Sequence, residues 1–248
     1  MTALRWIILI GVTGGLILFP ALFEPLLRPF APADGPVIYD RASLAGLTAS
    51  HLALVALAMI PSTLIALALA ILVTRPAGAE FLPMARTLAN VGQTFPPVAV
   101  LALSVPLLGF GARPTVLALF LYGLLPIFEN ALAGLRAVPG AVLLSGKAMG
   151  MTPRRILTQV EMPLALPLIL EGMRISIVIA LSTATIGSTV AARSLGEVII
   201  AGLTSNNPAY VIQGGMLTGC IAVLLYDAFG LLIEIAKRRT GREPQQAI

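Results

Sequence analysis

Cysteine is almost missing from this chain, and so is charge. A lone Cys220 excludes a disulfide framework and any cysteine metal site within one chain; it reads as a small apolar packing residue. Only 11% of the 248 residues are charged, against about a quarter in soluble domains. That is too few to cover a water-facing surface. Histidine occurs once, at His51, so a Ser–His nucleophile would have to use that residue. Neither HExxH nor GxSxG is present to support hydrolase chemistry. The segment Gly140–Ala148, GAVLLSGKA, comes near a phosphate-binding loop and fails twice. Five residues rather than four separate its glycines, and Ala148 stands where a Ser or Thr would hold magnesium. The chain is therefore expected to bind no ATP, cofactor or metal of its own, and to be no enzyme.

What the chain has is apolar length. Hydrophobic residues make up 58% of it, and mean hydropathy is +0.96. A membrane-crossing helix needs about 20 apolar residues at about 1.5 Å each, and six runs qualify: 6–23, 52–73, 88–108, 115–134, 164–189 and 211–235. Ala31-Pro32-Ala33 has the look of a cleavage site but lies too far beyond the first run, so 6–23 is read as a retained span. Nothing divides the chain. The expected fold is all-α and integral to the membrane: one domain over 1–248, a bundle of about six transmembrane helices with a core over about 44–234, a polar loop at 141–162 and a basic tail at 236–248.

Charge sets the orientation. With the N-terminus inside, Arg5, Arg75, Arg86, Arg136, Lys147, Arg154, Arg155, Lys237, Arg238, Arg239 and Arg242 fall in the cytoplasm. Arg28, Arg41, Arg113 and Arg193 fall outside, and Arg174 lies within a span. That bias is the positive-inside pattern, so both termini and the 141–162 loop are expected in the cytoplasm. The net charge of +5 is accounted for by short loops and implies no nucleic-acid partner.

The 144–167 stretch, LSGKAMGMTPRRILTQVEMPLALP, is the long polar interruption between the two apolar halves. Residues 141–149 suit a helix, and Gly150 follows where a helix end wants positive φ. Thr152 is placed to cap a second helix with Pro153 at its first position. Ile156, Leu157 and Val160 share a face, while Arg154, Arg155 and Thr158 lie elsewhere. Pro163 and Pro167 are expected to punctuate the start of the next apolar run. Such an elbow, held at a membrane surface, is well made to receive a push.

These residues resemble the cytoplasmic coupling loop of ABC importer permeases, whose pattern is EAA, three residues, Gly, nine residues, Ile-x-Leu-Pro. Gly150, Val160, Met162 and Pro163 match it in spacing, whereas Leu144, Ser145 and Gly146 stand at the EAA triplet. The chain is most similar to the glycine betaine/carnitine/choline osmoprotectant permeases, through AGLRAVP (133–139), AMGMTP (148–153), MPLALPLILEGMR (162–174), ATIG (184–187) and SLGEVIIAGL (194–203). The resemblance implies a type I ABC importer permease fold in the bacterial inner membrane. It implies two ATPase subunits, carrying ATP and magnesium, a second permease subunit and an extracytoplasmic substrate-binding protein. Lys147, Ala148, Met149, Gly150, Met151, Thr152, Pro153 and Arg154 would then transmit ATPase closure to the spans.

Polar residues inside the spans are the other informative class, since each charge costs roughly 2.5–3.5 kcal/mol at mid-bilayer on insertion scales. Glu171 and Arg174, three apart, are expected to pair, either tying span five to its neighbours or acting as a gate. Asp227 has no partner within a turn and should face the bundle or the interface. Glu129 and His51 are read as interfacial. Ser182, Thr185 and Thr189 form one helical stripe, suited to interhelical hydrogen bonds or to lining a translocation path. The GxxxG pairs Gly11/Gly15 and Gly215/Gly219 are assigned to close packing. Pro61, Pro96-Pro97, Pro106 and Pro126 would kink spans or let them bend. Two other functional readings stand beside the osmoprotectant permease: a permease for another small polar solute, and an ion-gradient-driven secondary transporter.

Overall fold

A computed structural model describes residues 3–240, so Arg242 and the end of the basic tail lie outside the described residues. The helices are α1 (Ala3–Leu18), α2 (Glu24–Leu27), α3 (Leu44–Thr74), α4 (Leu82–Thr94), α5 (Pro97–Leu108) and α6 (Ala112–Arg136). They are followed by α7 (Gly140–Ala148), α8 (Pro153–Ile156), α9 (Met162–Ile186), α10 (Gly196–Thr204) and α11 (Pro208–Arg239). No strand occurs among the described residues. Four helical stretches are long and apolar enough to cross a membrane, and up to six if each of two bent pairs is one span. The chain is a multi-pass membrane protein.

The bent pairs correct two expected spans. The first helix stops at Leu18 instead of running to 23 and turns by 113° into Pro20–Phe30. The third span breaks: Pro76–Thr94 and Pro97–Leu108 meet at 95°. Pro96 and Pro97 supply no N–H to continue the helix, and the freed Phe95 carbonyl accepts a hydrogen bond from the Tyr122 hydroxyl. Gln93 braces the same break, its side-chain Nε2 donating to the Tyr122 carbonyl at 3.0 Å.

α6 is the axis of the bundle, packed chiefly on α3 and α9. Phe128, Ile127 and Leu132 are fully or almost fully buried there with Ala131. Between lipid-facing helices burial gains little from leaving water, so close van der Waals fit carries the association. Glycines on α6 and α9 provide it. A methyl on Gly172 would lie 2.7 Å from the Pro126 carbonyl, and one on Gly134 would lie 3.0 Å from that of Ala165. Gly11, Gly215 and Gly219 have no neighbour at all within 4 Å of such a methyl, and Gly15 meets only the Phe23 ring. Within this chain, therefore, Gly11, Gly215 and Gly219 pack against no neighbouring helix, and the close approaches fall at other glycines. Large apolar side chains such as Leu57, Ile60, Leu64 and Leu107 are exposed on the outer surface, as lipid contact requires.

His51 corrects another expectation. Ser43 caps α3 by accepting from the Gly46 N–H at 3.3 Å, which starts the helix eight residues before the apolar run at 52. His51 therefore lies two turns inside α3, deeper than the helix start at which it was expected, and is fully buried.

Candidate functional site: the coupling loop and the α9 polar stripe

The chain turns over at one end of the bundle through 137–161. α7 ends at Ala148 and Gly150 adopts φ +76, the left-handed conformation that favours glycine. The Met151 N–H reaches back to the Gly146 carbonyl at 3.1 Å and that of Gly150 to Lys147 at 2.9 Å, closing the turn as helix C-caps do. Thr152 Oγ1 then accepts from the Arg155 N–H at 3.4 Å, with Pro153 in the first turn of α8. Lys147, Ala148, Met149, Gly150, Thr152, Pro153 and Arg154 are exposed and Met151 half-buried. Met149 is 75% and Leu144 68% exposed. α7 thus projects from the bundle, touching it mainly through α8, with an apolar tip and cationic flanks.

Downstream the structure departs from a punctuated start. Leu157–Glu161 forms a π-helical turn and α9 follows without a stop, with Pro167 inside it. The Met162 N–H bonds the Leu157 carbonyl, five residues back. Pro163 donates nothing, and the extra residue of the π turn takes up the mismatch. One continuous helical rod therefore joins the elbow to the membrane helix.

The rod is pinned by charge. Glu161, only 6% exposed, pairs at 2.8 Å with Arg75 just past the end of α3. Arg86 of α4 donates to both Glu129 oxygens of α6, at 2.7 and 3.1 Å, so Glu129 is a helix-to-helix tie. Arg5 of α1 pairs at 2.9 Å with buried Asp227 of α11. Asp227 thus gains the partner that its own helix lacks, 222 residues away. None of these three pairs is visible in local spacing, since each joins residues far apart in the chain.

Glu171 and Arg174 lie 3.4 Å apart. Arg174 also donates from Nε to the Tyr226 carbonyl at 3.0 Å, and its guanidinium sits 3.3 Å from the Tyr226 ring centroid. Charge, hydrogen bond and cation–π contact together fix α9 to α11. On the same helical stripe, at spacings of three and four, follow Ser182, Thr185 and Thr189. Ser182 and Thr189 are exposed and Thr185 half-buried. Their hydroxyls donate within their own helix, to the carbonyls of Val178, Ser182 and Ile186 at 3.2, 2.7 and 2.7 Å. The hydroxyls that do cross between helices are others: Ser62 to the Phe120 carbonyl at 2.7 Å and Ser176 to that of Gly123 at 2.9 Å. The stripe is left facing outward from this chain, polar but satisfied.

At the opposite end the connection from α9 to α11 folds back through α10, which the apolar runs did not announce. Buried Ser194 ties this turn, donating to the Ala184 carbonyl at 3.0 Å and accepting from the Gly196 N–H at 3.1 Å. Tyr39 packs edge-on against Tyr210, donates its hydroxyl to Glu197 at 2.8 Å and its backbone N–H to Gln213 Oε1 at 3.0 Å. Burial, and then the Glu197 carboxylate, push its hydroxyl pKa up to about 12. Among the described residues no cluster of His, Cys, Asp and Glu could hold a metal.

Residues 66–241, which include the elbow, the π turn and the polar stripe, match the family of binding-protein-dependent transport system inner membrane components. The chain belongs to this family. Over 140 residues it is 44% identical to the carnitine transport permease protein OpuCD of Listeria monocytogenes, covering 56% of this chain and 63% of that protein. It is 39% identical over 175 residues to the osmoprotectant import permease protein OsmY of Salmonella typhimurium, covering 71% and 74%. It is 39% identical over 163 residues to the choline transport system permease protein OpuBD of Bacillus subtilis, covering 64% and 72%. The fold is shared with the MetNI methionine ABC transporter solved in inward-facing conformations, at TM-score 0.69 and 20% identity over 78% of this chain and 95% of that one. A solved amino acid ABC transporter matches at TM-score 0.60. The all-α, type I ABC importer permease fold expected from the resemblance is the fold of this chain.

Proposed function

We propose that this chain is the permease subunit of an ATP-driven importer of small osmoprotectants, of the carnitine, choline and glycine betaine class. The observation that carries the proposal is the projecting elbow, in which a Gly150 turn and a Thr152 cap set an exposed apolar tip on a rod continuous with α9. Two cytoplasmic ATPases engage the tip through residues 147–154, and ATP-driven closure tilts the rod. A second permease subunit, identical or related, completes the pathway, and the exposed Ser182, Thr185 and Thr189 line it. The Glu171–Arg174 pair with Tyr226 keeps α11 moving with α9. An extracytoplasmic binding protein delivers the solute at the end opposite the elbow, and both chain termini lie in the cytoplasm. ATP hydrolysis belongs to the partners.

The gradient-driven alternative loses its main support, because Asp227, its free intramembrane carboxylate, is paired with Arg5. The reading is tested by uptake of labelled carnitine, choline and glycine betaine in cells with and without this chain. Loss of ATP-dependent uptake without it, restored on its return, is the expected result. Uptake that persists without it, or that follows an ion gradient with ATP depleted, contradicts it.

A further inference from the structure

A cavity of about 400 Å³ opens at the elbow end between α1, α9 and α11. Its polar lining is Trp6, Glu171, Arg174, Asp227, Glu234 and Lys237. Four of these are already committed. Asp227 is neutralised by Arg5, Arg174 by Glu171, and the indole of Trp6 is half-buried. Glu234 and Lys237 are different. Both are exposed on the last turns of α11, and among the described residues neither forms an ion pair, with each other or with any other group. The cavity therefore presents one uncommitted carboxylate and one uncommitted ammonium, three residues apart and so on one helix face.

We infer that this cavity holds the head group of a zwitterionic phospholipid, its ammonium on Glu234 and its phosphate on Lys237. One free charge of each sign matches a zwitterion; an anion alone would leave Glu234 repelling it, and a cation alone would leave Lys237 doing so. The surroundings choose a lipid over a free solute. Exposed Leu231 lines the cavity, and exposed Ile7 and Ile235 directly follow its lining residues Trp6 and Glu234 in the chain, a surface for acyl chains. An indole at the rim suits the head-group level, where tryptophan concentrates, and pockets between helices at a basic membrane face are suited to head groups.

The test uses the full-length chain, purified and then equilibrated with vesicles of phosphatidylethanolamine and phosphatidylglycerol in equal parts. Retained lipid is counted by native mass spectrometry. The wild-type chain should hold the ethanolamine lipid in preference by roughly tenfold, the scale of one charge-assisted contact. Glu234→Gln should erase the preference while retention of the glycerol lipid rises, and Lys237→Gln should lower retention of both. Arg86→Gln, which removes a cation elsewhere at the same end, should leave the preference unchanged. Equal retention of both lipids by the wild-type chain, or an unchanged preference in Glu234→Gln, overturns the inference. A third arm offers glycine betaine to the delipidated chain. Binding that Glu234→Gln abolishes, without any lipid preference in the vesicle arm, would give the site to a soluble zwitterion and overturn the head-group assignment.

Discussion

The two ends of the bundle are held together by different physics. At the elbow end the ties between elements are ionic: Arg75–Glu161, Arg86–Glu129 and Arg5–Asp227, with Glu171–Arg174 further along α9. At the other end they are neutral or nearly so: the Tyr39–Tyr210 contact, the Asn207 amide on the Pro36 carbonyl at 2.7 Å, the Ser194 turn, and Gly196 seated against the backbone of Thr185. Ion pairs tolerate changes of angle and can re-form with new partners; a glycine against a carbonyl allows one geometry. In the proposed mechanism the ionic end is the one that is pushed, and the close-packed end transmits the tilt without yielding.

That contrast can be broken from either side. The largest effect is expected at the packed end. A methyl on Gly196 would run into the Thr185 carbonyl, which is backbone and has nowhere to go. Gly196→Ala should therefore destabilise by about 3 kcal/mol, the upper range for overpacking, seen as a lowered unfolding temperature in detergent at any salt concentration. A similar loss, about 3 kcal/mol, is expected for Arg75→Ala, because it strands the buried Glu161 carboxylate. Here Glu161→Gln in the same chain should restore much of the stability, whereas no charge change rescues Gly196→Ala.

Tyr39→Phe should cost about 1.5 kcal/mol, the scale of a hydrogen bond to a charged group. It also sharpens the contrast through pH. The Tyr39 pKa is raised from 10.0 to about 12 by burial and Glu197, so the folded chain keeps a proton that the unfolded chain gives up earlier. Its contribution is complete below pH 10 and disappears as pH rises through about 12. Thermal unfolding followed across that window should fall more steeply for the wild-type chain than for Tyr39→Phe. The smallest effect belongs to Arg86→Ala. Its pair with Glu129 is solvent-facing, so the smallest loss of this series, fading with added salt, is expected in thermal unfolding.

Local chemistry made the elbow legible in the sequence. Gly150, Thr152 and Pro153 each impose their conformation on neighbours within a turn, and the structure has the positive φ, the cap and the first-turn proline at those residues. The Glu171–Arg174 contact was legible for the same reason. What depends on tertiary approach was not. Asp227 looked unpartnered because Arg5 is at the far end of the chain, and Glu161 gave no sign of its pairing with Arg75. Glycine spacing misled, since GxxxG marks surfaces able to pack closely and says nothing of whether a neighbour arrives; glycines that do meet one, such as Gly134, Gly172 and Gly196, stand in no such pair. Two misses had local signals. Ser43 was a helix cap that would have moved His51 inward, and Pro96-Pro97 was strong enough to end a helix rather than kink it.

The central claim is that the elbow between α6 and α9 is where a nucleotide-hydrolysing partner drives the bundle. The direct measurement is cross-linking from Met149→Cys, in a chain whose Cys220 is replaced by Ser, inside membranes that contain the whole transport system. The account predicts a cross-link to the ATPase whose yield changes between nucleotide-free and ATP-bound states. A cysteine there that reacts only with reagents applied from outside the cell, or that never joins the ATPase in either state, would contradict it.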